Sequence, residues 1–200
     1  MYKIIKRILD FLVSLFAIVA LSPVLAITAI AVKADSKGPV FFVQKRIGKD
    51  KKLFNMYKFR SMRTDTPHDM PTHLLNDPDA FITKVGKFLR KSSLDELPQL
   101  FNILKGDMSI VGPRPALWNQ DDLIAERDKY NANSIRPGLT GWAQVNGRDE
   151  LEIPVKAKFD GEYVDRMSLI FDIKCIVDTA LQVVKHEGVV EGGTGTINKL

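Results

Sequence analysis

The chain has 200 residues, 45% of them hydrophobic and 26% charged, which suits one domain with a proper core. Its formal net charge of +5 points to an acidic partner, and nucleic acid fits poorly because the basic residues share their segments with apolar helix rather than with aromatic stacking platforms. The single cysteine, Cys175, excludes a disulfide framework and a cysteine zinc site; it lies in an apolar run and reads as packing.

From Phe11 to Val32 no residue is charged, and a straight helix of that length would reach roughly 33 Å, enough for a hydrocarbon core of ~30 Å. The run is long for a signal peptide and no small-residue cleavage site follows it. Ser22-Pro23 falls at its middle, where proline removes a backbone donor and kinks a helix. Lys3, Lys6 and Arg7 precede the run, and Lys33 and Lys37 follow it. Retention of Lys and Arg on the cytoplasmic side asks for both ends on one face. A re-entrant helix, broken at Ser22-Pro23, satisfies both features, with the Ser22 hydroxyl helping to hide freed backbone groups. One kinked transmembrane helix is the alternative. Asp10 and Asp35 are expected near the water interfaces in either case.

After Gly38-Pro39, Val40 to Gln44 reads as a short strand, and Arg46 to Lys52 as a basic turn around Gly48. Leu53 to Met62 alternates loosely and is either a second strand or a surface segment. Thr64 to Thr83 reads as a loop; His68 and His73 within it lack the spacing of metal ligands. Lys84 to Lys91 carries basic positions three and four apart, opposite Val85, Phe88 and Leu89, and predicts an amphipathic helix. It runs into Asp95-Glu96, adjacent acids at or near the start of the next helix, and Ser93 to Glu96 has the spacing of a capping box. Two acids in a cationic surround, followed by the stiff Gly112-Pro113-Arg114-Pro115 turn, can together hold a divalent metal and phosphate oxygens.

Asp121 to Tyr130 reads as a charged surface helix. Arg136 to Gly141 and Asn146 to Arg148 are loops bracketing Trp142 to Val145. Leu169 to Lys185 is amphipathic, with Leu169, Ile170, Ile173, Ile176, Val177, Ala180, Leu181 and Val184 broadly on one side. That stripe lines either the core or a membrane interface. Glu187 to Leu200 reads as a tail. The expected organisation is a membrane helix over 1–37, a catalytic domain over 38–186 and a tail over 187–200. The fold class is α/β: a compact membrane-associated domain with amphipathic interfacial helices around a small β element.

Five segments carry a resemblance: Tyr57-Lys-Phe-Arg-Ser-Met62, Ser93-Leu-Asp-Glu-Leu-Pro-Gln-Leu-Phe-Asn102, Leu104-Lys-Gly-Asp-Met-Ser109, Gly112-Pro-Arg-Pro115 and Arg136-Pro-Gly-Leu-Thr-Gly-Trp-Ala-Gln-Val-Asn-Gly-Arg148. Long and in order, they resemble the bacterial sugar transferases, or monotopic phosphoglycosyl transferases, from the first helix to about residue 186. The chain looks like the minimal form. The resemblance implies transfer of a phosphosugar from a UDP-sugar to polyprenyl (undecaprenyl) phosphate at the cytoplasmic face of the bacterial inner membrane, with UMP leaving, as a first membrane step of glycan assembly. It makes Asp95 the expected nucleophile of an aspartyl-phosphosugar intermediate and Glu96 a Mg²⁺ ligand, with Asp95 beside it at the metal. Ser22-Pro23 matches the family's helix break.

Residue chemistry agrees, because clustered cations and a divalent ion must quiet the diphosphate before a carboxylate can approach phosphorus. Arg114, between two prolines, suits a fixed phosphate contact. Lys58, Arg60, Arg90, Arg136 and Arg148 are further candidates for substrate contact, with surface salt bridges as the alternative. Gln144 and Asn146 could read uracil or sugar hydroxyls, or hold their own loop. Trp142 and Tyr163 are assigned to packing. The bilayer is a partner, and a homodimer is left open. The sugar stays open between an N-acetylated hexosamine derivative and galactose. Two rivals are a nucleotide-sugar hydrolase using the same dyad and a non-catalytic scaffold binding acidic lipids.

Overall fold

A computed structural model describes residues 2–66, 80–147 and 151–185. His68, His73 and Arg148 lie outside the described residues, as does the tail.

The chain opens with helix α1 (Tyr2–Ala20) and, after Leu21, helix α2 (Ser22–Asp35). No single described helix is long and apolar enough to cross a membrane, but the two together are, and they meet at a bend of 64°. The cause is local. Pro23 has no N–H for the carbonyl of Val19, four residues back. The Ser22 hydroxyl donates to that carbonyl at 2.8 Å instead, so the break leaves no bare acceptor there.

The burial of α1 is inverted. Lys6, Asp10 and Ser14, spaced by one helical turn, are its buried residues, while Ile4, Ile8, Leu12, Leu15, Phe16 and Val19 are exposed. Asp10, expected near a water interface, is instead inside the protein. Its carboxylate accepts from the Ser109 hydroxyl at 2.7 Å and the Ile110 N–H at 3.0 Å. Lys6 donates to Asp172 at 2.6 Å, and Arg7 donates to the carbonyls of Ile103 and Leu104.

Strands β1 (Phe41–Ile47) and β2 (Leu53–Phe59) form an antiparallel hairpin. The predicted first strand is thus three residues longer at its end, because Ile47 N–H finds a further acceptor in Ala116 O. Helix α3 (Lys84–Lys91) keeps its expected limits, capped by the Thr83 hydroxyl on Gly86 N–H. A Cβ on Gly86 would stand 1.9 Å from the carbonyl oxygen of Ser61, so only glycine lets α3 press against the chain leaving β2.

Helix α4 (Gln99–Lys105) follows, then strand β3 (Ser109–Val111), helix α5 (Asp121–Asp128) and strand β4 (Gly138–Thr140). β3 and β4 pair in parallel, which ties the Gly-Pro-Arg-Pro and Arg-Pro-Gly-Leu-Thr-Gly segments into one unit. A Cβ on Gly141 would fall 2.0 Å from the carbonyl oxygen of Gly112, hence glycine at that crossing.

Three helices follow among the described residues: α6 (Trp142–Val145), α7 (Ile153–Arg166) and α8 (Leu169–Lys185). Helix α7 was not expected from sequence. Its buried residues are Ala157, Asp160, Gly161 and Tyr163, and charged side chains elsewhere obscure that stripe. Asp160 pairs with Arg127 of α5. The apolar stripe of α8 does not line the core. Phe171, Asp172 and Cys175 face inward, whereas Ile170 is 82% exposed and Ile173, Val177 and Leu181 are also exposed. Burial and the nearby Asp172 push the Cys175 thiol up to about 11, which agrees with a packing role.

Asp172 joins the two ends of the chain. It accepts from Lys6, from Tyr2 at 2.5 Å and from Tyr163 at 2.7 Å. Truncation of Lys6 would leave a buried carboxylate without its counter-charge. We expect Lys6→Met to lose about 3 kcal/mol or more, read as a lower denaturation midpoint in detergent, and Asp172→Asn in that background to restore part of the loss.

Candidate active site

Asp95 and Glu96 stand in a single 3-10 turn, Leu94–Glu96, between α3 and α4. Ser93 does not cap it: the residue has φ of 56°, in the left-handed region, and its side chain makes no capping bond. Backbone of that kind costs a non-glycine residue ~1–2 kcal/mol. It is held because Leu94 and Leu97, on either side of the acids, pack into the core around Val32, Phe59 and Leu89. The acids therefore sit on a turn that the core keeps in one place.

Asp95 is 8% exposed. Burial pushes its carboxyl up from the usual range, and Glu96 adds to that, while Lys58, Arg90 and Arg114 pull it down. Glu96 is clamped at one oxygen: Lys58 Nζ lies 2.7 Å and Arg114 Nη2 3.4 Å from Oε1. These residues come from four places: β2 gives Lys58, the last turn of α3 gives Arg90, the 3-10 turn gives the acids, and the loop after β3 gives Arg114. The structure thus brings together five of the sequence-predicted residues.

The others go elsewhere. Arg60, a candidate for substrate contact or a surface salt bridge, is instead buried and donates to the carbonyls of Val32, Ser36 and Lys37; it terminates α2. Gln144, open between reading the donor and holding its loop, is buried and donates to Leu139 O at 2.9 Å, and Asn146 donates to Trp142 O. Both hold their own loop. Arg136 donates to Gly106 O at 2.8 Å, at the far end of α4 from the acids. Ser22 and Pro23 mark the helix break. Trp142 packs against Phe171 and Phe159, and Tyr163 is buried.

Gln99 is a residue that sequence reading passed over. It is buried in the first turn of α4, one helical turn after Asp95, and its side-chain nitrogen has no hydrogen-bond partner. Only its place four residues after Asp95 could have drawn notice. A buried donor left unmet costs ~1–3 kcal/mol.

Among the described residues no group of three or more His, Cys, Asp or Glu stands together. Adjacent carboxylates are nonetheless hard oxygen donors, and Mg²⁺ usually takes one or two of these and fills its shell with water and substrate phosphate. Asp95 and Glu96 fit an ion shared with a diphosphate rather than a closed protein cage.

A buried acid, a clamped neighbour and three cations on separate elements are an arrangement suited to phosphate chemistry. Residues 1–186 match the bacterial sugar transferase family. The chain is 40% identical over 186 residues to the uncharacterized sugar transferase EpsL of Bacillus subtilis (strain 168), covering 93% of this chain and 90% of that one. It is 41% identical to a UDP-glucose:undecaprenyl-phosphate glucose-1-phosphate transferase of Xanthomonas campestris pv. campestris, over 92% of this chain and 39% of that relative. It is 38% identical to a UDP-N-acetylgalactosamine-undecaprenyl-phosphate N-acetylgalactosaminephosphotransferase of Aeromonas hydrophila, over 94% of this chain and 45% of that relative. This chain belongs to the bacterial sugar transferase family. It spans most of the Bacillus relative and less than half of the other two.

Because the folded state disfavours ionised Asp95, its cost is absent below the ordinary carboxyl range of about 3.9 and fully present above the raised value. Asp95→Asn should therefore melt at or above the wild-type temperature at pH 7. That advantage should shrink as pH falls toward 4, as read by thermal denaturation across pH.

Proposed function

We propose that the protein transfers a phosphosugar from a nucleoside diphosphate sugar, UDP-linked, to polyprenyl phosphate, with Asp95 as nucleophile. The observation that carries this reading is the buried Asp95 carboxylate beside a Glu96 held by Lys58 and Arg114. The relatives' substrates, UDP-sugars and undecaprenyl phosphate, supply the donor and acceptor classes.

A carboxylate approaching a diphosphate meets like charge. Lys58, Arg90 and Arg114 stand around the acids before substrate arrives, so little reorganisation is needed when charge builds on the phosphate oxygens. Arg114 is fixed by prolines on both sides, which suits a defined phosphate contact. When bound at Asp95 and Glu96, Mg²⁺ would supply further neutralisation of the diphosphate.

An Asp95 oxygen forms a bond to the phosphorus that bears the sugar. The bridging P–O bond breaks, and UMP leaves with its electron pair. An oxygen of polyprenyl phosphate then attacks the same phosphorus, and the Asp95 carboxylate is released. Two steps through one carboxylate let a water-soluble donor and a lipid acceptor use the centre in turn. Desolvation keeps Asp95 reactive, since a carboxylate stripped of water is the better nucleophile, while the cations keep enough of it ionised.

The acceptor's phosphate lies at headgroup level, so the domain must sit at a bilayer. The exposed apolar residues of α1 and α8 and the bent α1–α2 pair support this; exposed apolar surface of that extent marks an interaction face. The re-entrant reading places the catalytic domain on the cytoplasmic side of the inner membrane. Cysteines introduced at positions 3 and 37 should both react with an impermeant maleimide from the cytoplasmic side only; labelling from opposite sides would establish a spanning helix.

The reaction is tested by UMP release from a panel of UDP-sugars with and without polyprenyl phosphate. With the true donor and no lipid, intact-protein mass spectrometry should show one phosphosugar added at Asp95. Asp95→Asn should lower transfer by at least about 10³-fold while still entering membranes. Donor breakdown that strictly requires lipid, with no adduct at any time, would sink the covalent route, and sugar phosphate released to water would favour a hydrolase.

A further inference from the structure

A second group of cations lies apart from the acids. The first two turns of α1 and the segment around Arg136 enclose a cavity of about 100 Å³ whose lining includes Lys3, Lys6, Arg7, Asp10, Lys49 and Arg136. That volume is a few water molecules' worth at ~30 Å³ each and well below the ~300 Å³ of the smallest usual ligand pockets. It has room for one phosphate group and not for a nucleotide.

The charge balance is one-sided. Lys6 is paired with Asp172, and Lys49 lies 3.7 Å from Asp50. Asp10 is bonded to Ser109 and to Ile110 N–H. Arg7 and Arg136 donate to the backbone carbonyls of Ile103, Leu104 and Gly106. Carbonyls orient these guanidinium groups without cancelling their charge. The cavity therefore keeps an excess of positive charge after its neighbouring acids are counted. The two arginines are also pre-positioned. Gly106 has φ of 95°, and a Cβ there would come 3.2 Å from the Arg7 guanidinium, so the end of α4 is shaped to receive Arg7.

The cavity is distinct from the Asp95–Glu96 centre. Its Arg7 and Arg136 reach the C-terminal carbonyl end of α4, whereas the acids precede the N-terminal end. Seven residues of helix separate the two ends by roughly 10 Å. Its depth follows from α1. Residues 3 to 7 begin the helix that runs toward the apolar bend at Leu21, so they stand at headgroup level if α1 enters the bilayer, a placement that rests on the re-entrant reading above.

We propose that this cavity is a second phosphate-binding site, which holds one phosphate group at the bilayer surface and ties the start of α1 to it. Cations lining a small cavity, two of them exposed at its mouth, suit a singly charged phosphodiester, as in an anionic phospholipid, and the same chemistry would accept a soluble phosphate.

The test uses the full chain in neutral detergent, with no sugar donor present. It is titrated by calorimetry with dihexanoylphosphatidylglycerol, with dihexanoylphosphatidylcholine and with inorganic phosphate. Wild type should bind phosphatidylglycerol at one saturable site, and Lys3→Gln/Lys49→Gln should weaken that by roughly tenfold or more. Both side chains are exposed, so the double variant should melt as wild type does, and Lys3→Arg/Lys49→Arg should retain binding. Tighter binding of phosphatidylglycerol than of inorganic phosphate assigns the site to a lipid headgroup; the reverse assigns it to a soluble phosphate. Glu96→Gln should leave the binding unchanged. Three results would overturn the proposal: no saturable binding of either anion, equal affinity in wild type and the Lys→Gln double variant, or parallel loss in Glu96→Gln. None of them bears on whether Asp95 acquires a phosphosugar.

Discussion

Asp172 governs how the first helix meets the rest of the molecule. One buried carboxylate accepts from Lys6 and Tyr2 of α1 and from Tyr163 of α7, and the Tyr163 hydroxyl oxygen also lies 3.1 Å from Val111 O in β3. A charge pair of this kind is expensive to bury and tolerates little displacement, because its attraction must offset lost hydration. It therefore specifies one seating for α1. The Asp10 contacts to Ser109 and Ile110 and the Arg7 contacts to the end of α4 extend that seating along the next turn. The polar side of α1 is consumed by the protein, and the apolar side is left facing out.

That inversion connects the fold to the chemistry. α4, which begins just after the acids, ends against α1 at Arg7, and its Leu100 and Ile103 pack with Ala17, Ile18 and Leu21 near the bend. The turn that holds Asp95 and Glu96 thus leads into a helix packed against both β2 and the bent α1–α2 pair. The seating of α1 therefore bears on the position of Asp95. The second cationic cavity lies on this same path, at the junction of α1 and α4.

Within the site, rigidity and reactivity share one origin. Ser93 holds a left-handed backbone because Leu94 and Leu97 are packed. Asp95 stays desolvated because that turn cannot open without exposing them. The folded state accepts a strained residue and a disfavoured charge at one spot, a pattern expected where function sets local structure against stability. Glu96 differs from its neighbour: two cations at one of its oxygens hold it in place.

Much of this was legible in order along the chain. Helical spacing fixed α3 to the residue, the uncharged run with Ser22-Pro23 located the bend, and the adjacent acids and the Pro-flanked arginine, singled out in sequence, do stand together. These are local properties, set by period, backbone chemistry and charge within a few residues. Other features depended on what packs against what. Sequence alone could not say that Arg60 closes α2, that Gln144 and Asn146 serve their own loop, or that the stripe of α8 faces out with Asp172 facing in. α7 was hidden because its buried stripe includes Asp160 and Gly161, residues that earn burial only through Arg127 and the close approach of Tyr130. A cation reads the same on the chain whether it meets substrate, a helix end or a buried acid; only the tertiary contacts, 20 to 170 residues apart in sequence, decide which.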